Sequence, residues 1–336
     1  MSNARAKASF WVVVLMLLPL MVLMSLLNGS SVLPLTDLWE GSDLTRRILY
    51  ELRLPRILVV MLCGGLLAIS GAVVQALFRN PLADPGLIGV AGGAALAAVT
   101  WQVVASATLG ASVWLSAGMP LAAFLGGMLV TFLVIRIARS ASGISSLTLL
   151  LTGIAINTIA GAGIAGLKYI SDSMTLRQVT FWLMGNVQAA SWWAVLLLLI
   201  ISSVFVPVLV RHAAALNILL LGEQQAMLLG VDVDKTQRRL VVITALIVGA
   251  VVSMVGLIGF VGLVVPHLVR LINGPDNRFL LPMSFLSGAL LLLIADLVAR
   301  NVAAPAELPI GLITALIGGP VFLFMISYRQ RERGAC

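Results

Sequence analysis

Along the chain, apolar stretches close to 20 residues long alternate with short segments that hold most of the charges, glycines and prolines. Read between those breaks, the apolar runs cover residues 10–27, 57–77, 87–107, 113–135, 146–167, 192–210, 240–257, 260–271, 279–298 and 310–326. A helix rises about 1.5 Å per residue, so roughly 20 apolar residues match a hydrocarbon core about 30 Å thick. The eighth run is too short to cross alone. It predicts a tilted or broken helix shielded by neighbouring protein, because lipid cannot satisfy irregular backbone. The pattern predicts an all-α polytopic membrane protein of about ten transmembrane helices, forming one domain over residues 1–336.

Composition sharpens this. Hydrophobic residues make up 60% of the chain and charged residues 10%, with a mean hydropathy of +1.10, whereas soluble domains carry about 25% charged residues. The net charge of +8 does not signal nucleic acid, since the basic residues stand at the ends of apolar runs without interleaved aromatics. With the N-terminus placed inside, fourteen of the 21 basic residues fall on inner segments, from Arg5 and Lys7 through Arg79 and Arg238 to Arg333. The positive-inside rule therefore favours cytoplasmic N- and C-termini, in accord with an even number of spans. Six of the seven tryptophans (Trp39, Trp101, Trp114, Trp182, Trp192 and Trp193) then lie near the outer side, as an interfacial belt requires. Cys63 in an apolar run and Cys336 at the end of the chain build neither a disulfide framework nor a metal cluster. The basic start followed by Phe10–Leu27 has the form of a signal peptide. Its apolar run is longer than a usual signal core and no A-x-A site follows, so it is read as a retained first span.

Short tetrads recur in a common order. Gly71-Ala72-Val73-Val74 precedes Gly86-Leu87-Ile88-Gly89, and Gly249-Ala250-Val251-Val252 precedes Gly256-Leu257-Ile258-Gly259; Phe124-Leu125-Gly126-Gly127 is echoed by Phe285-Leu286-Ser287-Gly288. The halves are spans 2–5 and 7–10. An offset of five spans reverses direction, which predicts an inverted repeat of the kind transporters use for alternating access. The alternative is that small residues simply recur at helix contacts.

Apart from His267 in the short eighth run, no apolar run carries an ionisable residue near its middle; Lys168, Asp296 and Arg300 sit at run ends. Ion-coupled carriers mark their ion path with intramembrane carboxylates or histidines, so a secondary carrier working alone is the second reading. A phosphate-binding G-x-x-x-x-G-K-[ST] loop is also missing from the sequence, which assigns any nucleotide hydrolysis to another subunit. The inner loop at residues 216–230 reads as two short amphipathic helices with a break at Gly222 and a stop at Gly230. Its leucines predict either a docked partner or a helix lying on the lipid surface.

Several separated motifs together resemble the FecCD-type permeases, importers of ferric siderophores, haem and cobalamin. They are Arg53-Leu54-Pro55-Arg56, Arg79-Asn80-Pro81-Leu82-Ala83-Asp84-Pro85-Gly86, Leu221-Gly222-Glu223 with Leu229-Gly230-Val231, the run Gly259 to Arg270, Ala295-Asp296, Ala299-Arg300 and Glu307-Leu308-Pro309-Ile310-Gly311. Asn277 departs from the histidine usual in an Asp-His-Arg triplet. The resemblance implies a homodimeric permease in the bacterial inner membrane, on two ATPase subunits, with a periplasmic binding protein docked outside. It implies no catalytic residue, metal or cofactor in this chain, with ATP and magnesium held by the partner ATPase. Gly222, Glu223, Ala226, Leu229 and Gly230 would form the segment that couples to the ATPase. Arg53, Arg56 and Arg300 would take glutamates of the binding protein; anchoring helix ends at lipid head groups is the alternative.

Tyr169-Ile170-Ser171-Asp172, Leu176-Arg177-Gln178, Met184-Gly185 and Ala304-Pro305-Ala306-Glu307 look most like the haem-uptake members, with ferric siderophore and cobalamin as alternatives. Arg177 would then meet haem propionates near the outer mouth, a charge-assisted contact, or else cap a loop helix. His212 and His267 lie toward the cytoplasmic half; His267 is read as structural, satisfying backbone freed by Pro266. Asp84 is read as a turn residue, and the glycines of 86–93 and 256–262 as sites of close helix packing.

Overall fold

The computed structural model describes residues 2–29, 42–109, 113–140, 143–188, 190–304 and 306–334; Trp39, Pro305 and Cys336 lie outside them. Each apolar run is a helix. In chain order the helices are α1 (Ser2–Leu27), α2 (Asp43–Arg47), α3 (Leu54–Leu77), α4 (Val90–Leu109), α5 (Val113–Ala138), α6 (Ser146–Ile170), α7 (Ser173–Leu183), α8 (Trp192–Arg211), α9 (Ala213–Leu219), α10 (Glu223–Leu228), α11 (Val233–Val255), α12 (Val261–Asn273), α13 (Asn277–Asn301) and α14 (Ile310–Gly334). Eight of the described helices are long and apolar enough to cross a membrane; α12 and the apolar part of α14, Ile310–Leu323, are shorter.

Some boundaries differ from the hydropathy reading, for local reasons. A π-helical stretch, Ile48–Arg53, joins α2 to α3 without a break, so that helix starts well before its apolar run. Helix α11 begins at Val233 rather than near 240, because Asp232 caps it by accepting from the Lys235 backbone N–H at 3.1 Å. That bond and the Lys235 ammonium together hold the Asp232 carboxyl below its usual range, the ammonium first. The third span is preceded by a 3-10 turn, Pro85–Ile88, capped by Asp84 and closed by Gly89 at φ 90°. Asp84 is thus a turn residue. Burial pushes its carboxyl up, against the opposing hydrogen bond from the Gly86 N–H.

Helix α3 is the centre of the bundle, mostly buried along its length. It packs closely on α13, while α11 packs on α5. Spans 2 and 7 thus each embrace a helix of the other half, spans 9 and 4 respectively, which is the exchange an inverted repeat produces. Glycines permit the closest approaches. A Cβ at Gly71 would collide with the Gly262 carbonyl, and one at Gly64 with that of Gly288, so the helices meet backbone to backbone.

The short eighth span is α12, about 20 Å long at 1.5 Å per residue. Irregular backbone from Gly256 (φ 73°) to Phe260 (φ 68°) precedes it. Three interrupted segments satisfy one another here: the Asn186 N–H donates to Val255 O at 2.8 Å, Ile310 to Gly185 O at 3.1 Å and Gly311 to Met184 O at 3.0 Å. Pro266 has no N–H for the carbonyl four residues before it. Gln75 of α3 meets that site, donating to Leu263 O at 3.0 Å and Gly262 O at 3.5 Å. Gln75 thus supports the backbone around Pro266, and His267 is buried in the same helix as that proline.

At the N-terminal end of α3 a carboxylate is fully buried. Asp296 of α13 accepts from Arg56 Nη2 at 2.9 Å through one oxygen and faces Arg300 Nε at 3.0 Å through the other. Arg300 also donates to Ser25 and to Asn28 O, and Arg53 donates to Leu26 O. Helices α1, α3 and α13 are clamped together by these bonds. Asp296→Asn is expected to destabilise the fold by about 3–5 kcal/mol, because it leaves the buried Arg300 without its carboxylate and removes one of the two that hold Arg56. Thermal and denaturant unfolding of the detergent-solubilised protein measure this; a wild-type midpoint would disprove the clamp.

Candidate functional site

Two clusters lie at opposite ends of α3, which at 24 residues is about 36 Å long. The first surrounds the segment 216–230. It forms the two expected helices, α9 and α10, broken at Gly222 and ended at Gly230. Gly222 has φ 121° and Gly230 φ 82°, conformations open to glycine and strained for other residues. Asn217 of α9 fixes the segment to the start of α13: its amide donates to Asp276 Oδ1 at 2.6 Å and its oxygen accepts from the Asn277 backbone and side chain, each at 2.8 Å.

Glu223, the first residue of α10, points inward. Its Oε1 accepts from Gln237 Nε2 at 3.2 Å and Ser146 Oγ at 3.4 Å, and lies 3.9 Å from Arg79 Nη2. Helices α6, α10 and α11 and the turn after α3 therefore converge on one carboxylate. Ala226 is fully buried beneath α10, whereas Leu228 is 88% exposed and Leu221 and Leu229 are exposed beside it. The segment is thus a rigidly seated pair of short helices with an apolar outer face.

The second cluster is the arginine end. Arg56 Nη1 grips both oxygens of Glu307 at 3.0 and 2.9 Å, in addition to Asp296. Gln188, in the turn after α7, donates to the same Glu307 at 3.3 Å. A cleft of about 390 Å³ opens here, lined by Arg53, Arg56, Arg300, Gln188 and Glu307. Arg53 and Arg300 are buried and Arg56 is half-buried, so all three arginines expected at a docking face are engaged within the chain.

Beside the cleft is a cavity of about 770 Å³, within the range of small-molecule sites. Helix α7 supplies one wall. Asp172 caps it, accepting from Met174 N at 3.0 Å and Thr175 N at 3.2 Å; Met174, Arg177, Gln178 and Phe181 then fall on one face by their i, i+3, i+4, i+7 spacing and all line the cavity. The Arg177 guanidinium stands 5.7 Å from the Phe181 ring centre, a cation–π contact. Gln178 accepts from Gln102 of α4 at 2.7 Å. Arg177 is therefore a cavity residue, and capping of α7 falls to Asp172. His212 closes the end of α8, its Nδ1 2.8 Å from Val208 O, away from the cavity. Among the described residues no group of His, Cys, Asp and Glu side chains gathers as a metal site.

Sequence reasoning singled out Arg56, Arg300 and Glu223 without their partners. Asp296 and Arg300 carry a readable signal in their i, i+4 spacing. The pairing of Arg56 with Asp296 and Glu307 joins residues more than 200 positions apart and had none. Arg79, Ser146 and Gln237 around Glu223 are likewise brought together by the fold alone.

Residues 16–328 match the model of the FecCD transport family. The chain is 43% identical over 324 residues to the hemin transport system permease protein HmuU of Yersinia pestis, covering 95% of each protein. It is also 43% identical over 288 residues to the vitamin B12 import system permease protein BtuC of Vibrio cholerae, covering 85% of this chain and 84% of that one. Among solved structures, an inward-facing metal-chelate type ABC transporter superposes with a TM-score of 0.84 at 32% identity, over 94% of this chain and 97% of that one. The chain belongs to the FecCD transport family and is a permease of an ABC importer.

Proposed function

We propose that this chain is the membrane half of an ATP-driven haem importer. It acts as a homodimer on two ATPase subunits that hold ATP and magnesium, and receives its substrate from a periplasmic binding protein. The observation that carries the substrate is the cavity of about 770 Å³: apolar and thioether walls suit a flat macrocycle, and Arg177 supplies a cation for carboxylates at its edge. The similarity to a hemin permease along nearly the full length supports the same reading. Cobalamin is the second reading, favoured by the amide side chains of Gln102, Gln178, Asn186 and Gln188 at the cavity and by equal identity to a vitamin B12 permease. Two faces support the dimer: α6 at Gly161 and Gly166, and α14 at Gly319, where an added Cβ would meet open space, as small residues at membrane helix contacts allow.

The segment 216–230 is proposed to sit in a cleft of the ATPase on the cytoplasmic side, with the arginine end periplasmic and both termini cytoplasmic. Exposed Leu221, Leu228 and Leu229 offer the apolar contact, and the inward bonds of Glu223 carry its displacement to α3, α6 and α11.

In the complex reconstituted with its ATPase subunits and binding protein, haem is expected to stimulate ATP turnover and uptake, while cobalamin and ferric siderophore do not. Stimulation by cobalamin alone would transfer the assignment to the second reading. The isolated chain is expected to hydrolyse no ATP and, in liposomes, to take up no substrate under a proton or sodium gradient; gradient-driven uptake would defeat the importer reading. Glu223→Lys places a second cation beside Arg79, and Gly222→Trp forces a bulky residue into a glycine conformation. Both variants are expected to fold yet to lower transport per ATP hydrolysed by tenfold or more, and normal uptake in both would remove the coupling role.

A further inference from the structure

Arg56 has little left to offer a newcomer. A guanidinium has five N–H donors, and four hydrogen bonds already run from Arg56, two to Asp296 and two to Glu307. One N–H remains, so a carboxylate that is to be held by two bonds must displace one of the two residents.

The two residents are not equivalent. Asp296 is fully buried within α13, and its second oxygen faces Arg300. Pulling it away would leave an uncompensated charge in the interior. Glu307 sits in the non-helical stretch between α13 and α14, with its side chain 23% exposed. Apart from Arg56, the side-chain bond holding it is the 3.3 Å contact from Gln188. Glu307 is the resident that can yield.

Its position gives that exchange a consequence. Glu307 and Gln188 line both the arginine cleft and the large cavity, so they form the wall between the two. The stretch that carries Glu307 is tied by backbone bonds to both sides, Leu308 N to Ala299 O at 3.1 Å and Ile310 N to Gly185 O at 3.1 Å. Gly185 belongs to the turn that follows α7, the helix forming the cavity wall with Arg177. In the present arrangement Arg56 neutralises Glu307. Released, its carboxylate adds a negative charge to a cavity that otherwise presents the Arg177 cation.

We propose that Glu307 is the exchangeable partner of Arg56: an acidic residue of the docking protein takes the guanidinium, and the freed Glu307 turns into the cavity, altering its charge and its α7 wall. Glu307 is thus a positioning residue that links docking to the substrate space. The inference rests on the reading of Arg56 as a docking residue, and the test separates the two.

The importer complex in lipid nanodiscs is titrated with the substrate-binding protein of the same importer, and transport is measured in matched liposomes. Glu307→Gln keeps the shape and the Gln188 hydrogen bond but removes the charge that competes for Arg56. Docking is expected to tighten at least threefold while transport falls about tenfold. A residue that merely braced the fold would weaken docking and transport together. Docking that is unchanged or weaker in Glu307→Gln overturns the exchange. Arg56→Ala provides the second arm. If it docks as tightly as the unmodified complex, the docking reading itself fails; if it docks weakly while Glu307→Gln shows no gain, the exchange alone fails. Should Glu307→Gln not fold, Glu307→Asp applies the same criterion, since a side chain one methylene shorter cannot hold Arg56 through both oxygens and keep Gln188.

Discussion

Hydrocarbon offers no hydrogen bonds, and the breaks in the helices of this permease are closed by other parts of the protein. Where α11 stops and α12 has yet to start, the exposed backbone is met by the turn after α7 and the approach to α14. Where Pro266 frees a carbonyl, Gln75 of α3 reaches across. Each unmet group would cost several kcal/mol in lipid, so the interruptions are found next to one another rather than scattered. Two of these segments also reach the cavity, through Asn186, Gln188 and Glu307, while α4, α5, α7 and α11 supply the rest of its walls.

Charge is treated in the same way. Outside the short α12, which carries His267, the sequence keeps ionisable groups from the middle of its spans, and several near span ends are drawn into two clusters, one at each end of α3. At one end two carboxylates and three arginines join α1, α3, α13 and the turn after α7. At the other, Glu223 collects Arg79, Ser146 and Gln237. The side chains proposed for docking and coupling therefore also serve as structural clamps. The arginines read from the sequence as free hands for a partner are already occupied, so on the proposed docking reading partner binding is a matter of exchange.

Much of the architecture is readable in the amino-acid sequence. Ten apolar runs, the short eighth one, the break at Gly222 and the stop at Gly230 follow from hydropathy and turn chemistry, both of which are local. The misjudged starts of α3 and α11 share a cause: each helix continues through charged turns that hydropathy discards, secured by the Asp232 cap in one case and by the π-helical stretch in the other. The site was legible residue by residue and illegible as a geometry. Arg56, Arg177 and Glu223 stood out, but their partners come from distant helices, and no periodicity reports a contact between residues 56 and 307. The support that Gln75 gives the backbone around Pro266 was illegible for the same reason, since Gln75 lies on a different helix.

Helix α3 also has a mechanical meaning. It is a rod that carries Arg56 in its first turn and leads directly into Arg79 at its far end, and for most of its length it is enclosed by other helices. Glycine contacts with α12 and α13 bring it against their backbones, where no flexible side chain can absorb a displacement. A stiff strut seated in this way has few ways to bend, so a shift at one membrane face must appear at the other as translation or tilt of the whole strut.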